Sequence, residues 1–122
     1  MRNIRSANTG PEVVVRSMLH RMGYRFRLHV KNLPGKPDIV LPRHGKVVLV
    51  HGCFWHQHSQ CREGRIPNSR QHYWLPKLTR NIERDLEHKK ELGKLGWKIL
   101  VIWECELKDL TRLKAKLIKF LA

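Results

Sequence analysis

The chain has 122 residues, which is the size of one domain with a modest hydrophobic core, so we expect a single domain over residues 1–122. Lys and Arg number 25 against 10 acidic residues, and the resulting formal net charge of +15 predicts a polyanionic partner. No apolar run approaches the roughly 20 residues of a membrane-spanning helix, and no apolar signal segment follows Met1, which favours an intracellular protein.

The first predicted element is a helix that begins at Thr9-Gly10-Pro11-Glu12, where Thr9 can cap the first turn and Glu12 completes a capping box. Its apolar stripe consists of Val14, Val15, Met18, Leu19 and Met22. Gly23 ends the helix, and the alternation of apolar and basic residues over 24–30 predicts an edge or half-exposed strand.

Two further strands are predicted before the middle of the chain. A turn at Leu33-Pro34-Gly35-Lys36-Pro37 leads into a short strand over residues 38–41, which starts on an acid. After a second turn, the unbroken apolar run Val47–Val50 predicts a buried strand over residues 46–50. The hairpin-like spacing of these strands favours a mixed sheet over an all-parallel one.

The second half of the chain predicts a helix, a strand and a closing helix. The long helix is marked by Leu75, Leu78, Ile82, Leu86 and Leu95. Gly96 ends it, and residues 97–103 form the strongest predicted strand. The closing helix carries Leu110, Leu113, Leu117 and Phe120, while Lys108, Arg112, Lys114, Lys116 and Lys119 are expected to face water or phosphate. This order predicts an α/β fold with a central sheet flanked by helices.

Cysteine and histidine are concentrated in residues 51–61, directly after the buried strand. Thiolates and imidazoles are the ligands that zinc prefers, and four of them close a structural site. Cys53, His58 and Cys61 are three candidate ligands, and Cys105 could supply the fourth from beyond the strongest strand. The alternative is a set of buried cysteines with unconnected histidines.

Several other side chains could carry chemistry. His51 and His56 remain available for proton transfer, because imidazole titrates near neutral pH. Asp38 at a strand start is a candidate magnesium ligand, although a turn cap would also explain it. Asn81 and Asp85 lie one helical turn apart and share a face.

Three aromatic residues stand in polar surroundings. Phe54 and Trp55 are adjacent within the His/Cys segment, and Trp74 is at the entrance of the long helix. Aromatic side chains beside basic groups can insert between base steps and kink DNA. Packing against the sheet is an equally good explanation from the sequence alone.

Four segments occur in this order along the chain: Leu33-Pro34-Gly35-Lys36-Pro37-Asp38, His51-Gly52-Cys53-Phe54-Trp55-His56, Asn81-Ile82-Glu83-Arg84-Asp85, and Gly96-Trp97-Lys98-Ile99-Leu100-Val101-Ile102-Trp103-Glu104-Cys105. Together they resemble the very-short-patch repair endonucleases over nearly the whole chain. The resemblance implies a fold similar to type II restriction endonucleases and nicking of one DNA strand beside a thymine mispaired with guanine, the lesion left by deamination of 5-methylcytosine. It also implies catalytic Mg²⁺ and a separate structural Zn²⁺.

The resemblance also assigns roles by position. Asp38 and the backbone carbonyl of Val50 match magnesium ligands, His56 the proposed general base, and His51 a neighbouring active-site histidine. Glu12 matches a glutamate near the scissile phosphate that acts through water. The other matched residues are an active-site acid (Asp85), the zinc set (Cys53, His58, Cys61 and Cys105) and the DNA-contacting residues (Phe54, Trp55, Trp74 and Asn81).

One spacing departs from the family pattern. Ser59 and Gln60 separate His58 from Cys61, which is one residue longer than the family spacing, so His56 is a competing zinc ligand. We expect a bacterial, cytoplasmic, nucleoid-associated monomer that acts on double-stranded DNA containing T:G mispairs and does not bind membranes, with mismatch-repair proteins as candidate partners.

Three other functions remain compatible with these patterns. One is a zinc-stabilised DNA- or RNA-binding module that does not cleave its ligand. The second is a nuclease of the same fold with another target, such as a homing or restriction site. The third is a solvated basic surface with no fixed partner.

Overall fold

The structure is a computed structural model of the chain that describes residues 10–53, residue 56 and residues 71–122. Its elements are, in chain order, α1 (Gly10–Arg21), β1 (Arg27–Leu28), β2 (Ile39–Leu41), β3 (Lys46–His51), α2 (Gln71–Lys94), β4 (Lys98–Trp103) and α3 (Leu110–Leu121). Short 3₁₀ turns, Pro42–His44 and Glu104–Lys108, follow β2 and β4. Within these described ranges, no helix has the length and apolar character to cross a membrane.

The strands form one sheet in the order β1-β2-β3-β4. β2 pairs antiparallel with both β1 and β3, whereas β3 pairs in parallel with β4, so that His51 lies opposite Trp103. This arrangement confirms the predicted mixed sheet. The predicted strand over 24–30 is shorter than expected, because His29 adopts a φ of 47° and its left-handed backbone ends the extended conformation after Leu28.

Helices cover both faces of the sheet. Along β3, Val48 faces α1 and α3, and Val47 points to the opposite face, as alternation in a strand requires. The larger core consists of Val15, Leu19, Ile39, Leu41, Val48, Ile102, Leu113, Leu117 and Leu121, and the smaller one of Val40, Val47 and Leu92. This arrangement confirms the α/β class with a mixed sheet between helices, and it is consistent with a restriction-endonuclease-like fold.

Helix α2 faces the sheet with a different side from the one that the sequence predicts. Of the predicted apolar stripe, Leu75, Ile82, Leu86 and Leu95 are exposed, with Leu86 at 61%, and Leu78 is buried. The inward face instead carries Leu78, Asn81, Asp85, His88 and Leu92, of which the three polar residues are half-buried. The middle of the helix therefore lies against polar groups of the sheet edge rather than against a purely apolar core.

Helix α3 is fixed at its start by Asp109, whose Oδ1 accepts a hydrogen bond from the Arg112 N–H at 3.1 Å. The expectation that Lys116 faces water or phosphate is wrong. Its Nζ donates to both Glu106 carboxylate oxygens at 2.9 and 2.8 Å and to the Val101 carbonyl at 3.2 Å. Lys116 therefore joins α3 to β4, while Lys108, Arg112, Lys114 and Lys119 are exposed as expected.

Candidate active site

Asp38 lies immediately before β2, beside the carboxyl end of β3. Its Oδ2 accepts a hydrogen bond from the backbone N–H of Val50 at 2.9 Å. Burial raises the pKa of Asp38 to about 6, although the Val50 N–H opposes the shift. A bound cation would stabilise the ionised form of this half-buried carboxylate.

Glu12 comes to the same place from α1. It is 2% exposed, and its Oε2 contacts Nε2 of His29 at 2.8 Å and Nη1 of Arg16 at 3.2 Å. The capping box predicted from the sequence did not indicate that the Glu12 carboxylate is buried between α1 and the sheet. Its inward position follows from α1, since residue 12 lies one turn before Arg16 and two turns before Leu19 on the side nearest the sheet.

His29 is a site residue that the sequence reasoning missed. Its side chain is half-buried, and its backbone N–H donates to the carbonyl oxygen of Asp38 at 3.1 Å. The left-handed backbone costs a residue other than glycine about 1–2 kcal/mol. A single histidine in a run of alternating apolar and basic residues carries no local signal of such a turn.

The ligand atoms of Glu12, His29 and Asp38 all lie within 4.8 Å of one another. Carboxylate oxygens are among the donors that Mg²⁺ prefers, and two carboxylates, the buried Glu12 and the half-buried Asp38, provide them here. The donor set at Asp38 therefore fits the magnesium ion that the family resemblance implies.

His56 and Asp85 form the second part of the site. Nδ1 of His56 lies 2.5 Å from Oδ2 of Asp85, which reaches it from the inward face of α2. Burial raises the pKa of Asp85, but the hydrogen bond and charge of His56 outweigh it, and the net pKa lies below the ordinary value. An ionised Asp85 requires the proton on Nδ1 of His56, which leaves Nε2 as the basic nitrogen.

His51 ends β3 and packs on His56. The two imidazole rings are stacked, with centroids 3.9 Å apart and planes 9° from parallel, and Trp103 meets His51 edge-on at 5.3 Å. His51 is 6% exposed, and its Nδ1 has no hydrogen-bond partner among the described residues. Burial, followed by the neighbouring His56, lowers the pKa of His51 to about 3, so the ring is neutral at neutral pH.

The two parts of the site adjoin along β3. Val50, which contacts Asp38, directly precedes His51, whose ligand atom lies within 4.8 Å of those of His56 and Asp85. The structure thus brings together the five residues predicted for catalysis: Glu12, Asp38, His51, His56 and Asp85. They come from α1, β3, α2 and the connections around them.

The turn before Asp38 is held against α2. Gly35 has a φ of 74°, and a Cβ on it would lie 2.7 Å from the ring of His88. Only glycine fits this approach, because the left-handed backbone and the ring both exclude a side chain. His88 lies one turn beyond Asp85, so this contact sets the distance between the Asp38 turn and the Asp85 helix.

Two of the four predicted zinc ligands fall in the described part of the chain. Cys53 is buried and Cys105 is half-buried. Each lies two residues beyond the paired residues His51 and Trp103, so the parallel register brings them to the same edge of the sheet. His58 and Cys61 lie outside the described residues.

The predicted DNA-contacting residues are partly described. Trp74 is half-buried in the first turn of α2, and its ring meets that of Tyr73 at 5.0 Å and 83°. Asn81 is half-buried, one turn before Asp85 on the same face. Phe54 and Trp55 lie outside the described residues, and insertion of these aromatics into DNA stays a prediction.

The sequence is similar to a known family and to several of its members. The family model described as DNA mismatch endonuclease Vsr matches residues 1–62. The type II nicking enzyme V.XorIIP of Xanthomonas oryzae pv. oryzae is 54% identical over 117 residues, which is 96% of this chain and 85% of the relative. The type II nicking enzyme V.NmeAIP of Neisseria meningitidis serogroup A is 50% identical over 109 residues, covering 89% of this chain and 77% of the relative.

A third relative carries the family's own name. The DNA mismatch endonuclease Vsr of Escherichia coli K12 is 39% identical over 113 residues, covering 93% of this chain and 72% of the relative. Identity at this level over nearly the full chain, together with the family match, is sufficient to assign membership. The chain therefore belongs to the Vsr family of DNA mismatch endonucleases and is a DNA endonuclease.

Proposed function

We propose that the protein nicks one strand of duplex DNA beside T:G mispairs, with Mg²⁺ at Asp38, and thereby initiates very-short-patch repair. The observation that carries this proposal is the meeting of two carboxylates, the buried Glu12 and the half-buried Asp38, with the His56–Asp85 pair at one sheet edge. Hydrolysis of a phosphodiester needs charge neutralisation and a proton acceptor. The carboxylate pair would hold the cation that neutralises charge, and His56 of the second pair would accept the proton.

His56 is the proton acceptor in this proposal. With Nδ1 bonded to Asp85, its Nε2 can take a proton from the attacking water, and the Asp85 carboxylate stabilises the imidazolium that forms. His51 stays neutral and stacks on this ring, which restricts its rotation without adding a positive charge. The Trp103 ring also contacts the His51 ring, in an edge-on arrangement.

Asp38 and the carbonyl of Val50 would hold the magnesium ion. When bound, Mg²⁺ supplies neutralisation of the charge that develops on the phosphate. Glu12 is too buried to meet bulk solvent, and in this proposal it orients a water near the scissile phosphate.

A structural zinc ion completes the proposal. Cys53 and Cys105 follow two neighbouring parallel strands and would share the ion with His58 and Cys61. Four protein ligands leave no open position, so this zinc stabilises the fold and takes no part in hydrolysis. Its place beside the end of β3 would support the segment that carries His51 and His56.

The proposed substrate is duplex DNA, on which the protein would act as a monomer. The net charge of +15 favours binding to the phosphate backbone, and mismatched steps are easier to deform than paired ones. Mismatch-repair proteins are proposed partners, and the bacterial nucleoid is the proposed location. Membership of an endonuclease family favours cleavage over the alternative of a module that only binds DNA.

The test is a panel of end-labelled duplexes that are identical except at one pair, which is T:G, C:G or T:A. We expect Mg²⁺-dependent nicking of the T-containing strand in the T:G duplex and at least about tenfold slower cleavage of the matched duplexes. The Asp38→Asn variant serves as the inactive control on the same panel.

Two outcomes would change the proposal. Equal nicking of all duplexes at one sequence would replace mismatch recognition with site-specific nicking. Tight binding of every duplex without any nicking in Mg²⁺ would contradict the proposed chemistry.

A further inference from the structure

His29 touches the active site at two points and has no part in the mechanism above. Its backbone N–H donates to the carbonyl oxygen of Asp38 at 3.1 Å, and its Nε2 lies 2.8 Å from Oε2 of Glu12. One residue therefore contacts the main chain of Asp38 and the carboxylate of Glu12. These two acids belong to different elements, since Asp38 precedes β2 and Glu12 lies on α1.

The contact of His29 with Glu12 joins the segment that follows β1 to helix α1. Arg16 contacts the same oxygen at 3.2 Å, but it lies one turn along α1 and moves together with Glu12. Arg16 can neutralise the carboxylate without fixing its place relative to Asp38. The His29 ring can fix the position of the Glu12 carboxylate relative to Asp38, because the His29 backbone N–H is hydrogen-bonded to the Asp38 carbonyl oxygen.

The backbone of His29 supports a specific role for its ring. A φ of 47° is strained for a residue with a side chain, and such strain persists where the surroundings impose it, often at functional sites. Glycine or asparagine would tolerate this conformation better. Neither places an N–H where the imidazole Nε2 reaches Glu12.

We infer that His29 is a positioning residue of the nuclease, whose Nε2–H holds the Glu12 carboxylate in a fixed place beside Asp38. The inference rests on the proposed place of Glu12 near the scissile phosphate. Small displacements matter there, because a shift of about 1 Å in a reacting arrangement can cost about 10²-fold in rate.

Two substitutions of His29 separate the contribution of its ring from that of its backbone. His29→Ala removes the N–H donor, whereas His29→Gln keeps an amide N–H at a similar reach, and both retain a side chain on the strained backbone. We expect His29→Ala to lower the single-turnover nicking rate about 10- to 100-fold with the Kd for DNA changed less than about threefold. His29→Gln should recover the rate to within about threefold of the unmodified protein.

A double-variant cycle tests whether His29 acts through Glu12. If it does, His29→Ala should have no further effect on rate in a Glu12→Gln background. His44→Ala, an exposed histidine on the turn after β2, is the matched control and should leave the rate unchanged. Thermal unfolding midpoints of all variants, measured alongside, identify any that fail to fold.

Three results would overturn the inference. Additive losses in the cycle would show that His29 acts independently of Glu12, and equal losses for the alanine and glutamine variants would show that the N–H donor is not needed. Mn²⁺ binding, followed by electron paramagnetic resonance, that is lost in His29→Ala but kept in Glu12→Gln would make His29 a metal ligand instead. The double-variant cycle can use any duplex that the protein nicks, so it still tests the role of His29 if the protein does not prefer T:G mispairs.

Discussion

Nδ1 of His56 lies 2.5 Å from Oδ2 of Asp85, although 29 residues separate them in the chain. His56 follows β3, and Asp85 lies in the middle of α2. The pair exists because the polar face of α2, rather than its apolar stripe, meets the end of the sheet. This pairing fixes both the orientation of the imidazole and the nitrogen that is free to accept a proton.

Asp85→Asn should reduce nicking without reducing DNA binding. The neutral amide cannot stabilise an imidazolium, and it can stabilise the wrong tautomer of His56. We expect the single-turnover rate to fall about 10²- to 10⁴-fold, the range of general acid–base contributions. Glu83→Gln, an exposed acid on the same helix with the same change in charge, should retain nearly full activity. Comparable activity in both variants would refute the role of Asp85.

Asp38→Asn should be inactive and yet more stable than the unmodified protein when magnesium is absent. The folded-state pKa of about 6 lies above the ordinary 3.8, so ionised Asp38 destabilises the fold at pH values above 6. Replacing it should raise the free energy of unfolding on the order of 2 kcal/mol at pH 7.5. The gain should shrink as the pH falls below 6 and vanish well below the ordinary pKa of 3.8, where the carboxyl is protonated in both states.

Denaturant titrations at several pH values, in buffer without added magnesium, measure this effect. Glu87→Gln, an exposed acid on α2, is the control and should show no such gain. Added Mg²⁺ should stabilise the unmodified protein and leave Asp38→Asn unchanged. A destabilised Asp38→Asn at pH 7.5 would contradict the raised pKa.

Cys105→Ser should abolish zinc binding and lower stability. Loss of a structural zinc site costs folding free energy directly, because the ligands are not preformed in the unfolded chain. Metal analysis of purified protein should fall from one zinc per chain to about none for Cys53→Ser and Cys105→Ser. His58→Ala should also lose zinc, while His56→Ala should keep it and lose activity. The reverse result for the two histidines would make His56 the zinc ligand.

Gly35→Ala should damage the site through the turn that precedes Asp38. The new methyl group would clash with the His88 ring, and alanine would also be strained in the left-handed backbone conformation. We therefore expect a loss of about 2–4 kcal/mol in unfolding free energy. Gly45→Ala is the matched control, since Gly45 has a φ of 63° with no atom within 4 Å of the added Cβ, and should cost about 1 kcal/mol.

Adding His88→Ala should recover most of the steric part of the loss and none of the backbone part. Equal losses for the two glycine variants in chemical denaturation would show that the approach of His88 imposes no constraint.

Local patterns in the sequence were sufficient to predict the order of elements and the mixed sheet. The apolar run that became β3 is largely buried, the run ending at Trp103 is mostly half-buried, and the turns that flank them contain glycine or proline. Asp38, His51 and His56 lie at or beside neighbouring strands, so their proximity follows from the sheet topology, whereas Glu12 and Asp85 reach the same place from α1 and α2. The roles assigned to them remain predictions.

Other features depend on tertiary contacts that no local pattern encodes. His29 joins the site only because its backbone turns left-handed after β1, and nothing in the surrounding residues requires that turn. The inward face of α2 is polar where it meets His56, so hydrophobic periodicity indicated the wrong face. Lys116 looked like a surface cation because its partner, Glu106, belongs to the 3₁₀ turn on the other side of Asp109.

The parallel pairing of β3 with β4 has a consequence for when the enzyme becomes active. Lys46 pairs with Lys98, and such distant contacts form slowly because a long loop must close first. A nascent chain that has completed β3 already holds Glu12, Asp38 and His51, but Asp85 has not yet been synthesised. The proposed proton-accepting pair, His56 and Asp85, can therefore assemble only after α2 has been synthesised and has crossed over the sheet.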